Sequence, residues 1–216
     1  MDNAMSEILS RQDHVITRRQ ALELMSLDAL RHRLGGPWQI MLPGVYLAQT
    51  GSPSRRQRLR AALLYGGSSA QLADATALHA YGVRYLPPDP TVRVLLAAEA
   101  KRANRDGVVV RRTHRRPQPR IIDGLPHCPP ERALVEFAAR VGERRVATAV
   151  VADAVQRGLA SLDRMTMEVV HVTGRGAGIA RLAVGDVVGG ARSAPGSPGA
   201  VFHQALCCSA RIPMAH

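Results

Sequence analysis

The sequence predicts a mostly helical α+β fold, and three observations carry that expectation. Capped, periodically apolar runs recur along the chain, after Thr17, Ser26, Ser54 and Ser161 and from Pro129 onward. Short runs rich in Val, Ile and Leu, at 38–41, 45–48, 92–97 and 108–113, are bounded by Gly, Pro or polar residues and read as strands. From 129 to 190 the pattern is helical only. The expected organisation is an N-terminal helix-turn-helix with a small hairpin (1–50), a middle α+β segment with a helix pair and a β-hairpin (51–125), a helical region (126–190) and a poorly ordered tail (191–216).

In the first segment, Asp2 to Arg11 reads as a helix with Ile8 and Leu9 available for packing. Thr17 and Gln20 then form a capping box, in which each side chain bonds the other residue's backbone N–H. Ile16, just before the cap, can staple onto Ala21 or Leu22. A short helix from Arg18 to Leu24 follows. Ser26 caps a second helix that places Leu27, Leu30 and Leu34 on one face, with Asp28, Ala29, His32 and Arg33 opposite and Arg31 at the margin. Gly35-Gly36-Pro37 ends it. Trp38 to Met41 and Val45 to Ala48 are then two strands joined by Leu42-Pro43-Gly44. Helix, tight turn, helix and a two-stranded wing is the outline of a winged helix.

Thr50-Gly51-Ser52-Pro53 reads as a linker, after which Ser54 caps a helix running from Arg55 to Leu64. Leu59, Ala62 and Leu63 make its buried stripe, and the Arg cluster of its first turns is left to solvent or to phosphates. Ala70 to Tyr81 is expected to be one helix ending at Gly82, with His79 as an ordinary packed or capping residue. Val92–Ala97 and Val108–Thr113 are expected to pair as a β-hairpin through the polar run Glu99 to Gly107. Arg111, Arg112, Arg115 and Arg116 crowd the exit of the second strand.

Past Pro129, Ala133, Leu134, Phe137, Ala138 and Val141 form an apolar face, with Glu131, Arg132, Glu136 and Arg140 expected on the solvent side. Val146 to Arg157 is a second, well-buried helix, and Ser161 caps a third with Met165 and Val169 inward. Gly174-Arg175-Gly176-Ala177-Gly178 is preceded by a helix and followed by no Lys, so it reads as a helix-to-helix turn and not as a phosphate cradle. Ser193 to Gly199 is linker-like.

The 216 residues can bury a sizeable core, but aromatics are only 3%, so that core must be built from Ala, Val and Leu. A formal charge of +12 points to a polyanionic partner, most simply double-stranded DNA. Because 28 of the 29 cationic residues are Arg, part of that excess is also what a GC-rich genome imprints. The distribution carries more weight. Residues 1–125 hold 19 Lys and Arg against 10 Asp and Glu, whereas 126–216 hold 10 against 7. Cys128, Cys207 and Cys208 have neither disulfide nor zinc spacing, and no metal or cofactor motif is read. No apolar run has the length of a signal peptide or membrane span, so the expected location is the cytoplasm, away from membranes.

One motif suggests catalysis. Asp89, Glu99 and Lys101 match the Pro-Asp…Glu-x-Lys pattern of metal-dependent nucleases, with an apolar run between the carboxylates. A single strand of that length would hold Asp89 and Glu99 roughly 30 Å apart. Two ligands of one Mg²⁺ must lie within about 5 Å of each other. The chain is therefore expected not to be an enzyme.

Several stretches also resemble a large bacterial family. They are Ile16-Thr17-Arg18-Arg19-Gln20-Ala21-Leu22, Trp38-Gln39 with Leu42-Pro43-Gly44-Val45-Tyr46, and Arg58-Leu59-Arg60-Ala61-Ala62-Leu63-Leu64. Ala75-Thr76-Ala77-Leu78-His79, Gly82 to Pro87, and Ala152-Asp153-Ala154-Val155-Gln156-Arg157-Gly158 belong with them. The chain is similar, over roughly residues 10–192, to proteins with an AbiEi-type antitoxin N-terminal domain, abundant in actinobacteria. The resemblance implies a winged-helix head that binds promoter DNA and represses its own operon. It also implies a type IV toxin–antitoxin system, whose nucleotidyltransferase-like toxin is opposed by the C-terminal part of the antitoxin without tight binding. Longer members continue into an endonuclease domain similar to very-short-patch repair nucleases, opened by a Glu after a segment like Gly190 to Pro195. Here Gly196 stands in that place and no Asp or Glu follows Asp186, so a truncated tail without a nuclease is expected.

The functional expectation is thus a DNA-binding transcriptional regulator of the antitoxin type. The second helix of the motif would enter the major groove with Arg31, His32 and Arg33. Arg18 and Arg19 would contact phosphates, the wing at Pro43 and Gly44 would lie along the backbone or minor groove, and Arg55 and Arg56 would add phosphate contacts. Two alternatives stay open: an inactive remnant of an endonuclease-fused DNA-processing protein, and a helical module at 129–190 that binds a toxin or a second copy. The oligomeric state is open as well.

Overall fold

The computed structural model describes residues 2–192. The expectations for a truncated, poorly ordered tail fall on 193–216, outside the described residues, although the last helix runs to Arg192. The fold is mixed α+β and mostly helical, as expected. Within the described residues the chain divides into two compact units, one built from 2–76 and 90–128, the other from 77–89 and 129–192.

The first unit opens with α1 (Asp2–Arg11), β1 (Val15–Thr17), α2 (Arg18–Leu24), α3 (Leu27–Leu34), β2 (Gln39–Leu42) and β3 (Val45–Leu47). The three strands form an antiparallel sheet in the order β1-β3-β2, with Ile16 opposite Tyr46 and Tyr46 opposite Ile40. This is the winged-helix outline. Its core holds Met5, Ile16, Ala21, Leu30, Trp38 and Tyr46, with Ile8, Leu9, Leu22 and Leu34 packed around them. Leu27 departs from the expected stripe. As the first helical residue it is 39% exposed, whereas Leu30 is buried.

Ser54 and Gln57 make a second capping box at the start of α4 (Arg55–Gly66), which packs on both sheets of this unit. Ala61, Ala62, Leu63 and Tyr65 share one core with Val15, Val45 and Leu47 of the small sheet and with Leu72, Val94 and Leu96 of a larger one. Residues 1–50 and 51–76 are therefore joined by a continuous apolar interior. Truncating a fully buried Leu of this core, such as Leu47 or Leu96, is worth about 2–5 kcal/mol.

The larger sheet has the order β6-β5-β4-β8-β7, from β4 (Gln71–Leu72), β5 (Val92–Ala97), β6 (Val108–Thr113), β7 (Arg120–Ile122) and β8 (Leu125–His127). Two expectations are corrected here. Ala70 to Tyr81 is not one helix: residues 71–72 form the central strand, and α5 (Asp74–Ala80) starts after it. Nor are β5 and β6 a hairpin, since they run parallel with Val92 opposite Val108 and Ala97 opposite Thr113. Six residues of strand span about 20 Å, and the segment 98–107 is long enough, at up to about 33 Å extended, to return the chain to its starting end. The hairpin in this sheet is β7–β8, turned by Asp123 (φ +50°) and Gly124 (φ +70°). Positive φ at both central residues is what a two-residue type I′ turn demands, hence Asp-Gly.

The second unit packs α6 (Pro130–Val141), α7 (Arg144–Gln156), α8 (Leu162–Val170) and α9 (Ala177–Arg192) around Ala133, Leu134, Phe137, Val150, Val151, Met165, Ala183 and Val187. Of the helix-to-helix turn read at 174–178, residues 174–176 lie between α8 and α9, and Ala177 and Gly178 are already the first turn of α9. The polar side expected for α6 is corrected. Glu131, Arg132 and Glu136 are buried, because charges placed among helices are held by partners from those helices. Arg132 donates to Glu136 at 2.7 Å and lies 3.6 Å from Glu168, while Glu131 accepts the Ser161 N–H at 3.2 Å.

Candidate nucleic-acid interface

The helix-turn-helix is set by local chemistry. Thr17 Oγ1 accepts the Gln20 N–H at 3.2 Å, and Gln20 Oε1 accepts the Thr17 N–H at 3.0 Å. Ile16 and Ala21 are both fully buried in one cluster, as a hydrophobic staple requires. Ser26 Oγ accepts the Ala29 N–H at 3.2 Å and starts α3. With Leu30 turned into the core, the outer face of α3 presents Asp28, Ala29, Arg31 and His32 to solvent.

The three arginine and histidine side chains proposed to read bases sit differently. Arg31 is 3.1 Å from Asp28 on the exposed face. His32 is exposed. The Arg33 guanidinium lies 5.4 Å from the centroid of the buried Trp38 ring, a cation–π contact in the last turn of α3. Arg18 and Arg19 are exposed, and Arg19 is 4.0 Å from Glu23 one turn on.

The wing is short. Pro43 and Gly44 alone turn the chain between β2 and β3, with Gly44 at φ +73°. The Arg18 N–H donates to the Gly44 carbonyl at 2.8 Å, so the turn is tied to the start of α2. The structure thus brings Arg18, Arg19, Pro43 and Gly44 together around a groove of about 810 Å³. Arg102, which the sequence reading did not single out, lines the same groove.

Of the two arginines expected to add phosphate contacts, Arg55 is exposed. Arg56 is engaged within the unit: it donates to Asp13 at 2.6 Å and to the Asp123 carbonyl at 3.0 Å. Arg60 donates to the other oxygen of Asp13 at 2.9 Å. Burial raises the Asp13 pKa, but hydrogen bonds and charge from both guanidinium groups outweigh it and hold the carboxyl below its usual range.

Of the nuclease-like residues, Glu99 and Lys101 fall in the segment 98–107 between β5 and β6. Residues 92–97 form one strand with no turn inside it, so Asp89 and Glu99 flank it at opposite ends. Asp89 lies 3.7 Å from Arg140, and Glu99 is exposed. Among the described residues no three His, Cys, Asp or Glu side chains are grouped to hold a metal ion. His127 is buried with Nδ1 at 2.8 Å from the Leu125 carbonyl, and burial lowers its pKa. No helix among the described residues is long and apolar enough to cross a membrane.

No family model and no curated protein matches the chain. Among solved structures, the fold is similar to that of the RV2827C protein from Mycobacterium tuberculosis, with a TM-score of 0.58 and 19% identity, over 85% of this chain and 75% of that one.

Proposed function

We propose that this protein is a cytoplasmic, double-stranded-DNA-binding transcriptional regulator that represses its own promoter, as the antitoxins of type IV systems do. The observation that carries this reading is the winged helix itself: α3 is capped, anchored by Leu30, and offers Arg31, His32 and Arg33 at its outer face and last turn. Arg18 and Arg19 flank it, and the cationic excess lies in 1–125. The resemblance to AbiEi-type antitoxins adds the promoter as target and a nucleotidyltransferase-like toxin as the second component of the system. The role asks for recognition and no catalysis.

A gel-shift titration with the protein's own upstream DNA tests it. Binding is expected to weaken steeply with salt, and Arg33→Ala is expected to cost about 1–3 kcal/mol on that sequence and much less on random duplex. Wild-type protein that shifts neither DNA would refute the proposal.

A further inference from the structure

A winged helix holds DNA between its recognition helix and its wing, yet here the wing proper is only Pro43 and Gly44, tied back to Arg18. Another segment stands beside it. The return loop 98–107 between the parallel strands β5 and β6 places Arg102 in the groove that Arg18, Arg19, Pro43 and Gly44 line.

That loop is held in place at several points. The Tyr65 hydroxyl donates to the Ala103 carbonyl at 3.0 Å, and Arg112 donates to the Ala100 carbonyl at 2.8 Å and to the Arg102 carbonyl. The Arg102 guanidinium lies 5.3 Å from the centroid of the Tyr65 ring. Three arginines line the groove against one carboxylate, Glu23, which already sits beside Arg19. Tyr65, the aromatic residue of the lining, is 3% exposed and offers no face on which a base could stack. A cationic groove without a stacking platform fits a phosphate backbone and not splayed-out bases.

We propose that the return loop 98–107 acts as the wing of this DNA-binding head, with Arg102 gripping the phosphate backbone of double-stranded DNA beside α2. The proposal rests on the DNA-binding reading above and adds to it a second contact, supplied by the larger sheet. A backbone contact of this kind strengthens binding to any duplex and leaves sequence preference to α3.

The test is fluorescence anisotropy with the upstream duplex and a random duplex, across about 50 to 300 mM salt. Arg102→Ala is expected to weaken both complexes by a similar factor, several-fold, and to flatten the plot of log affinity against log salt by about 0.9 for the lost phosphate. Arg102→Lys is expected to keep the slope. Should Ala loosen the loop, as a lowered melting temperature would show, Arg102→Gln keeps a polar stem without charge and carries the same expectation as Ala. An unchanged slope in Ala and Gln variants, with wild type and Arg33→Ala behaving as a DNA reader and its mutant, overturns the wing assignment alone. Loss of binding to the upstream duplex only would assign Arg102 to base reading and also overturn it. Absence of duplex binding by the wild type removes both proposals.

Discussion

Asp13 receives Arg56 at 2.6 Å and Arg60 at 2.9 Å, one guanidinium on each carboxylate oxygen. Asp13 and His14 both have positive φ, +56° and +63°, so the link between α1 and β1 is a left-handed corner clamped to the first turns of α4. Gln57 adds a bond to the Asp13 carbonyl at 3.2 Å. This clamp ties the head to the helix behind it, and it explains why two of the arginines in that basic run are not free for phosphates.

Asp13→Asn keeps the shape and tolerates the left-handed backbone, so it isolates the charge. It is expected to destabilise the protein by about 1–2 kcal/mol near neutral pH. The sign with pH follows from the lowered pKa. A carboxylate whose folded pKa is depressed stabilises fully above its unfolded value and loses that contribution as pH falls through the folded one. The gap between wild type and variant in urea midpoint should therefore be complete near neutrality and shrink below about pH 4. A gap independent of pH would mean that the ion pairs contribute nothing.

The contrast between this clamp and its sequence signature shows what was readable. Capping boxes, the staple and the end of α3 are interactions within a few residues, and the chain states them openly. Whether an arginine faces solvent or a carboxylate 47 positions away is set by tertiary structure, as in Arg60 and Asp13. The direction of β6 against β5 has the same origin, because the residue pattern of Val108–Thr113 reads the same for a parallel and an antiparallel neighbour, and here the pairing is parallel. The two residues of β4 carry too little pattern to compete with the helical run that follows. Glu131, Arg132 and Glu136 misled for a different reason: a charged stripe reads as solvated unless its partners on other helices are known. Asp123-Gly124 between two short apolar runs was a readable hairpin signal. Arg102 carried no local signal at all, since only the parallel crossover brings it beside α2.

Gly176 immediately precedes α9 and packs against Ala139 of α6. A Cβ there would stand 1.5 Å from the Ala139 carbonyl oxygen, too close for any rotamer change to relieve. The glycine-rich turn thus serves backbone packing. Gly176→Ala is expected to cost about 3 kcal/mol or more by pushing the two helices apart. The neighbouring Gly178→Ala, which meets nothing within 4 Å, should be neutral or slightly stabilising through helix propensity. Thermal melts of the two variants make the comparison, and equal behaviour would contradict the close approach.

Trp38 is the chain's single tryptophan, and it lies beneath Arg33 at the end of the helix proposed to read DNA. A guanidinium over an indole face perturbs its excited state through charge, and that charge moves when Arg33 turns to a base or phosphate. Titration with the upstream duplex is therefore expected to change Trp38 emission in intensity or position, in proportion to the fraction bound. Arg33→Ala should alter the emission of the free protein and abolish most of the DNA-induced change. Arg102→Ala, which removes a guanidinium that lies over Tyr65 and leaves the Arg33–Trp38 pair in place, should keep the full change at saturation while moving the midpoint to higher DNA concentration. If Trp38 emission stays flat at DNA concentrations that saturate a gel shift, the duplex is held by another surface and α3 is not the reading helix.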